Sequence, residues 1–267
     1  MTTVVKLGGE LLEDATAMRV AARGLARLAA DGPLVIVHGG GRAIDADLRA
    51  RGIEPRFVDG LRITDEDTLS TVVAVLAGRI NTAFVAALSA EGVRAVGLTG
   101  ADAAVGLSAK APGFVSSKGD DVDLGLVGLP EPQASAQLLT ELLGLGYVPV
   151  LASIGVTTSG DLLNVNADVL ASHLSRAVGA GRLIVAGSTP GVFDRSGNPC
   201  PVLDEKQARA MVAAGTARDG MVAKLRAVLD ALEGGVPDVR IVDGRLGAYA
   251  TAAGTLITRL ADVEMTR

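Results

Sequence analysis

Aromatic side chains are scarce in this chain of 267 residues: they make up 2% of the sequence, and tryptophan is absent. Proteins that bind nucleic acid need a basic surface, and those that bind single strands usually also stack the bases on aromatic rings. The formal net charge of this chain is −5. We therefore expect no nucleic-acid partner.

Cysteine and long apolar runs are also limited. Cys200 is the single cysteine, which excludes a disulfide scaffold and a cysteine-rich zinc site. Asp, Glu, Arg or Gly interrupts each apolar run before about 18 residues, so the sequence predicts no membrane span. Residues 1–6 lead straight into a strand-like run without a signal-peptide pattern. These features predict a soluble, cytoplasmic protein.

Lysine is much the rarer of the two basic residues, since 20 of the 25 are Arg and five are Lys. Lys6 ends the first strand-like run, and Lys224 lies near the start of a helical stretch, where the helix dipole disfavours a cation. Taken alone, Lys224 is explained by solvent exposure. A lysine ammonium is nevertheless a compact charge that suits a single phosphate oxygen. The remaining lysines look replaceable by Arg: Lys110, Lys118 and Lys206.

Short β-branched apolar runs alternate with stretches of helical period, which is typical of an α/β protein with strands buried on both faces. The predicted strands are residues 3–6, 34–37, 95–98, 148–151, 183–186, 239–242 and 254–257. The predicted helices are residues 13–30, 42–52, 65–90, 134–146, 167–179, 204–214 and 219–233. Residues 100–133 are rich in Gly, Ser, Asp and Lys, with strand-like pieces such as 124–127, and predict a hairpin-rich excursion over the sheet.

Two predicted strands end in glycine clusters, Leu7-Gly8-Gly9-Glu10 and His38-Gly39-Gly40-Gly41. Glycines at the carboxyl end of a parallel strand let the backbone approach a ligand, and the N–H groups of the turn and the next helix then face an anion. A tight strand–helix turn without a ligand is the alternative for either cluster alone. Two such clusters on successive strands favour an anion site.

Other glycine-rich fingerprints do not match. The chain contains no P-loop motif, and neither cluster has the G-x-G-x-x-G spacing of a dinucleotide site. His38-Gly-Gly-Gly is similar to an esterase oxyanion-hole motif. That function needs a G-x-S-x-G elbow and a distal histidine, but Gly187-Ser-Thr-Pro-Gly191 has Thr at the nucleophile position, and His173 lies in a predicted helix. We therefore do not favour a hydrolase.

A polar segment, Asn164-Val-Asn166-Ala-Asp168, interrupts apolar flanks before a predicted helix. Asn166 can cap this helix, and Asp168 would then lie in its first turn, where the dipole favours an acidic side chain. Helix capping does not explain Asn164. A second segment, 216–224, contains Asp219 as a candidate cap before Lys224.

Five motifs in this order resemble those of the acetylglutamate kinases, which belong to the amino acid kinase family: Lys6-Leu-Gly-Gly, His38-Gly-Gly-Gly, Val58-Asp-Gly-Leu-Arg62-Ile-Thr-Asp, Asn164-Val-Asn-Ala-Asp168 and Asp219-Gly-Met-Val-Ala-Lys224. The resemblance covers about residues 2–258. It implies a three-layer αβα sandwich around a mainly parallel sheet of roughly eight strands. It also implies an N-terminal lobe, 1–178, that binds the amino acid and forms a homodimer, and a C-terminal lobe, 179–267, that binds ATP.

The resemblance also implies roles for individual residues. Catalysis is assigned to Lys6 and Lys224, which stabilise the transferring phosphoryl group, and to Asp168, which holds both lysines. Substrate binding is assigned to Gly40, Gly41, Arg62 and Asn164, of which Arg62 and Asn164 bind the α-carboxylate. Nucleotide binding is assigned to Gly8, Gly9, Ser188, Thr189, Pro190, Gly191, Val192, Phe193, Thr216, Ala217 and Arg218. The N–H groups of Gly8, Gly9 and Gly41 are expected to donate to phosphate. The expected cofactor is ATP with Mg²⁺ held mainly by the phosphates, without a dedicated protein metal site.

The implied reaction is ATP-dependent phosphorylation of the side-chain carboxylate of N-acetyl-L-glutamate, a step of arginine biosynthesis. The alternatives are a sibling kinase for another acyl-glutamate or a carrier-linked aminoadipate, and a non-catalytic amino-acid sensor on the same fold. Two positions depart from the family pattern. Ser188 stands where many relatives have Asp, which bears on the nucleotide contact at this position. Arg42 stands where Pro is common, which bears on the surroundings of the acyl group. Because the sequence begins at its first strand, without the N-terminal helix of arginine-inhibited hexamers, we expect a dimer that is insensitive to arginine.

Overall fold

The computed structural model describes residues 1–215 and 220–259 of the chain. Its strands are β1 (Thr3–Leu7), β2 (Leu34–His38), β3 (Phe57–Val58), β4 (Leu61–Arg62), β5 (Ala95–Thr99), β6 (Ser108–Lys110), β7 (Phe114–Val115), β8 (Asp121–Val122), β9 (Val127–Pro130), β10 (Val148–Ala152), β11 (Ile154–Val156), β12 (Leu162–Val165), β13 (Arg182–Gly187), β14 (Val192–Phe193), β15 (Pro199–Cys200), β16 (Val202–Asp204), β17 (Asp238–Asp243) and β18 (Gly254–Thr258). Its α-helices are α1 (Ala15–Asp31), α2 (Gly41–Ala50), α3 (Glu66–Val73), α4 (Thr82–Ala90), α5 (Gln137–Gly144), α6 (Ala167–Ala177), α7 (Glu205–Ala213) and α8 (Gly220–Glu233).

Within the described residues, the main sheet has eight strands in the order β16-β18-β17-β13-β1-β2-β10-β5. Six of them, from β17 to β5, are mutually parallel, and β18 runs antiparallel to β17. All seven predicted strands belong to this sheet, so the predicted mainly parallel α/β sandwich is confirmed. The eighth strand, β16, is three residues long and was not predicted.

The sheet separates two apolar cores because successive side chains of a strand point to opposite faces. Val4 of β1 packs in the core that contains Leu170 of α6 and Val228 of α8. Its neighbour Val5 packs in the core that contains Leu25 of α1 and other residues of the opposite helical layer. Helices therefore cover both faces, which makes the three layers of the sandwich.

A smaller sheet lies beside the main one and carries part of the site. It has the order β11-β12-β9-β6, and the β7–β8 hairpin lies between β6 and β9 in the chain. The predicted hairpin-rich character of residues 100–133 is confirmed. The expected strand-like piece at 124–127 is displaced, because β9 begins only at Val127, while the N–H of Leu126 donates to the carbonyl of Thr64 at 2.7 Å.

The predicted helix over 65–90 is continuous from Glu66 to Ala90, but its middle turns, Ala74–Asn81, form a π-helix between α3 and α4. By length and composition alone this helix could cross a membrane. Its buried face packs in the core through side chains such as Leu76 and Phe84.

The sheet is continuous across the predicted lobe boundary at 178–179. β1 pairs with β2 on one side and with β13 on the other. The turn at this boundary contains Gly179, whose φ is 60°. The carboxyl ends of β1, β2 and β13 consequently meet at one sheet edge, which is where ligands bind in open α/β sheets.

Candidate active site

The two glycine-rich turns contact each other at this edge. A Cβ on Gly9 would lie 2.6 Å from the Cα of Gly40, so the close approach of the two backbones requires glycine. Gly9 begins a 3₁₀-helix, Gly9–Leu12, and Gly41 begins α2. Because the first N–H groups of a helix have no partner within it, both turns present backbone donors to an anion.

Gly8 requires a correction. Its N–H donates to the carbonyl of Ala186 at 2.8 Å, so this structure does not offer it to a phosphate as the sequence-based assignment expected. The absent side chain of Gly8 matters instead, because a Cβ there would lie 2.4 Å from Oε2 of Glu10. Gly8 therefore provides space for the Glu10 carboxylate.

Lys6, Asp168 and Lys224 form a cluster at the carboxyl end of β1. The Lys6 Nζ lies 3.0 Å from Asp168 Oδ1, and the Lys224 Nζ lies 3.8 Å from Asp168 Oδ2. Asp168 is fixed in the first turn of α6 because the Asn166 side chain accepts hydrogen bonds from the N–H groups of Asp168 and Val169. The predicted helix cap at Asn166 is thus confirmed.

The cluster is largely desolvated, since Lys6 is 6% exposed and Asp168 is 5% exposed. Burial and the neighbouring charge of Lys6 hold the pKa of Lys224 below its ordinary value, against the opposing effect of the Asp168 and Glu10 carboxylates. Two ammonium groups that share one carboxylate retain an unbalanced positive charge. The arrangement can therefore attract the negative charge of a phosphoryl group.

Glu10 also belongs to this cluster, although the sequence patterns did not single it out. Its Oε1 accepts a hydrogen bond from the N–H of Ser188 at 3.0 Å. Burial raises the pKa of the Glu10 carboxyl, but bonds from its own N–H and that of Ser188, with the charges of Lys6 and Lys224, hold the pKa below the ordinary value. An acidic residue directly after a glycine pair at a strand end is the sequence signal that could have identified it.

Arg62 occupies a different part of the same cavity. Its guanidinium forms an ion pair of 2.6 Å with Asp45 Oδ1, donates to the carbonyl of Gly41 at 3.3 Å, and lies over the ring of Phe57. The Arg62 side chain is 9% exposed. Asp45, on α2, was not predicted as a site residue. These contacts orient the planar fork of Arg62, which suits a carboxylate ligand.

Asn164 projects from β12 towards the same cavity and donates from Nδ2 to Thr64 Oγ1 at 3.1 Å. This contact accounts for a polar residue that helix capping left unexplained. The cavity has a volume of about 260 Å³, which suits a ligand the size of a substituted amino acid. It brings together the following predicted site residues: Lys6, Gly8, Gly9, Gly40, Gly41, Arg62, Asn164 and Asp168.

His38 precedes the second glycine turn, and hydrogen bonds fix its ring against this turn. Asn81, in the π-helix, donates to His38 Nε2 at 3.0 Å and to the carbonyl of Val150 at 2.9 Å. His38 Nδ1 then donates to the carbonyl of Gly39 at 3.2 Å. Burial lowers the pKa of His38 to about 4, so the ring is neutral at pH 7. Since both ring nitrogens are engaged, His38 has no free position to act as a base.

The predicted nucleotide segment Ser188, Thr189, Pro190, Gly191, Val192 and Phe193 follows β13 at the same sheet edge. Gly191 has a φ of 117°, and a Cβ there would lie 2.7 Å from Thr255 Oγ1. The Val192 side chain is buried in the core, so it serves packing. The other predicted nucleotide residues, Thr216, Ala217 and Arg218, lie outside the described residues, as does Asp219.

A metal site made by the protein alone is not present in the described part of the chain, where no group of three or more His, Cys, Asp or Glu side chains could hold an ion. Of the nearest carboxylates, Asp168 is paired with Lys6 and Lys224, and Glu10 accepts the N–H of Ser188. This donor set fits a Mg²⁺ ion that is held mainly by substrate phosphates.

Comparisons with known proteins agree with this geometry. The model of the amino acid kinase family matches residues 1–243. An acetylglutamate kinase of Solibacter usitatus is 41% identical over 245 residues, which are 91% of this chain and 91% of the relative. An acetylglutamate kinase of Bradyrhizobium diazoefficiens is 39% identical over 251 residues, which are 92% of this chain and 84% of the relative. A solved structure of a Streptococcus mutans protein superposes with a TM-score of 0.82 at 26% identity, over 96% of this chain and 98% of that one. The chain therefore belongs to the amino acid kinase family, within its acetylglutamate kinase group.

Proposed function

We propose that this enzyme transfers the γ-phosphoryl group of ATP to the side-chain carboxylate of N-acetyl-L-glutamate, the second step of arginine biosynthesis. The observation that carries the proposal is the cavity at the strand ends, which Lys6, Asp168 and an oriented Arg62 line. Lys224 adjoins this cavity through its contact with Asp168. The substrate has two carboxylates. In the proposed complex Arg62 and Asn164 bind the α-carboxylate, while the γ-carboxylate faces the lysines.

The reaction needs no general base because the attacking carboxylate is already ionised at pH 7. An oxygen of the γ-carboxylate attacks the γ-phosphorus of ATP, the bond from that phosphorus to the bridging oxygen breaks, and ADP leaves with the electron pair. Lys6 and Lys224 neutralise charge on the transferring group, and the N–H groups of Gly9 and Gly41 donate to its oxygens. Asp168 keeps the two ammonium groups in place. Mg²⁺, when bound, supplies further neutralisation of the phosphate charge.

We further propose a homodimer in the cytoplasm, with residues 1–178 as the amino-acid lobe and 179–267 as the ATP lobe. Support for the dimer comes from β5, which among the described residues has a neighbouring strand on one side only. A half-buried strand with an unpaired edge is a template for pairing with a second copy. A groove of about 310 Å³ between this strand and the Glu66–Ala90 helix extends the surface, and Val85 and Leu98 line it.

A substrate panel tests the proposal. ADP formation is measured by a coupled assay with N-acetyl-L-glutamate, N-succinylglutamate, aminoadipate and aspartate as acceptors. We expect the highest kcat/KM with N-acetyl-L-glutamate. A higher value with another acceptor would identify a sibling kinase, and calorimetric binding of an amino acid without ADP formation would identify a sensor.

A further inference from the structure

The Glu10 carboxylate stands at the end of the cavity where the phosphate groups would bind. It lines the same cavity as Lys6, and a Cβ on Gly187 would lie 3.1 Å from Glu10 Oε1 and 3.6 Å from Lys224 Cε, so the carboxylate and the Lys224 side chain flank the same point. It also accepts the N–H of Ser188, the first residue of the predicted nucleotide segment. The glycines around it leave this space, since a Cβ on Gly8 would lie 2.4 Å, and one on Gly187 3.1 Å, from Glu10 carboxylate oxygens. The Glu10 carboxylate is thus a side-chain anion that occupies the N–H donor and the positive charge that a phosphate would use.

The charges of the cluster lead to the same conclusion. Two ammonium groups and the Asp168 carboxylate carry a net charge of about +1, which would attract a phosphate. With ionised Glu10 the four groups sum to about zero before any ligand binds. A triphosphate that enters beside an immobile Glu10 would meet like charge in a partly desolvated site, which is costly.

We propose that Glu10 is an internal anion that occupies the phosphate end of the empty site and must be displaced by the triphosphate. The inference rests on the proposed ATP-binding function. Glu10 is half-buried and its side chain can rotate towards solvent, so displacement needs no change of the sheet. The displaceable carboxylate makes the site selective for a triphosphate. A single small anion such as inorganic phosphate competes poorly with the tethered carboxylate, whereas a triphosphate makes more contacts and replaces it.

Binding of inorganic tripolyphosphate in EDTA, measured by calorimetry, tests this proposal without metal or turnover. We expect Glu10→Gln to bind the probe about tenfold more tightly than the wild type, because the amide keeps the size but loses the charge; tenfold corresponds to about 1.4 kcal/mol. Glu10→Ala should show the same direction if Glu10→Gln folds poorly. Glu54→Gln, at an exposed glutamate near Arg49, is the control and should bind like the wild type.

Lys6→Ala shows whether the probe binds at this site, since tripolyphosphate binding should weaken strongly in that variant. Unchanged or weaker binding by both Glu10 variants would overturn the proposal. Weaker binding only when Mg²⁺ is added would also overturn it, because Glu10 would then be a metal ligand. If the proposed kinase function is wrong, the wild type will form no ADP. That result is distinguishable from failure of the Glu10 proposal, because it does not depend on what the Glu10 variants bind.

Discussion

Single charged groups decide the chemistry of the cavity. Lys6 and Lys224 approach different oxygens of Asp168, so one carboxylate positions two ammonium groups from separate elements, β1 and α8. The scarcity of lysine in an arginine-rich chain is consistent with this arrangement, because a guanidinium is too large and planar to replace a point charge there. Lys6 lines the cavity, and Lys224 lies beside it through its contact with Asp168; Lys110 pairs instead with Asp123.

Lys6→Ala and Lys224→Ala should each reduce kcat by roughly 10²–10³-fold, as loss of a transition-state donor does. Steady-state ADP formation measures the effect. Lys206→Ala, on α7 away from the cluster, is the matched control and should retain wild-type kcat. Near-normal turnover in both active-site variants would contradict the assignment of these lysines.

At the residue scale the sequence predicted the lysines, Asp168, Arg62 and Asn164 as members of one site. The structure places Lys6, Asp168, Arg62 and Asn164 in one cavity, and Lys224 joins them through Asp168. It did not predict Glu10 or Asp45. The position of Glu10 depends on the N–H of Ser188, which is distant in sequence and meets Glu10 only because β13 pairs with β1. Such long-range pairing leaves no local pattern.

At the scale of elements, the two glycine turns form the floor of the site. Their approach is between backbones, since a Cβ added at Gly9 would lie 2.6 Å from the Cα and 3.0 Å from the N of Gly40. A strand end and a helix start from different βα units are therefore held in van der Waals contact. This explains the glycine at position 9. At position 40 a Cβ would instead meet the side chains of Ile80 and Leu76.

Gly9→Ala should destabilise the fold by about 1–3 kcal/mol and reduce kcat, because the new methyl overlaps backbone that cannot rotate away. Thermal or urea unfolding measures the stability change. Gly144→Ala, at the end of α5 where a Cβ would meet open space, is the control and should be neutral or slightly stabilising. Equal stability of the two variants would refute the close-contact interpretation.

Strand positions in the main sheet were predictable because most of these runs are apolar on both faces, as buried parallel strands are. The π-helix at Ala74–Asn81 was not, since its sequence has ordinary helical character. Its extra residue per turn is set by tertiary contacts, including the bonds of Asn81 to His38 and Val150. Short strands such as β16 also depend on their partner, here β18.

At the scale of the whole molecule, the acidic net charge of −5 gives no general attraction for anions. Local lysines and backbone N–H groups have to supply it, which is consistent with small anionic ligands.

Stability should fall on acidification through His38. The pKa of this residue is about 4 in the folded chain and about 6.5 when unfolded, so below pH 6.5 the unfolded chain binds the proton first. The free energy of unfolding should therefore decrease between about pH 6.5 and pH 4, by about 3 kcal/mol from this residue.

Urea unfolding at pH 7 and pH 4.5 checks this expectation. In His38→Gln the loss between the two pH values should be smaller than in the wild type, because the titrating ring is gone. An identical pH dependence in the two proteins would exclude His38 as the source.

The proposed dimer gives a prediction for the assembled molecule. Light scattering should report twice the monomer mass, and Thr82→Arg should shift the protein towards monomer by placing charge in the groove beside β5. Ala30→Arg, on an exposed position of α1, should leave the mass unchanged. A monomeric wild type, or a dimer that is indifferent to Thr82→Arg, would argue against this interface.

Identification of the product tests the proposed reaction most directly. The wild-type enzyme is incubated with ATP, Mg²⁺ and N-acetyl-L-glutamate, hydroxylamine traps the acyl phosphate, and mass spectrometry identifies the hydroxamate. We expect the γ-hydroxamate of N-acetylglutamate in an amount equal to the ADP formed, and neither product with Lys6→Ala. ADP without the γ-hydroxamate, or no ADP at saturating substrate, would contradict phosphoryl transfer to this carboxylate.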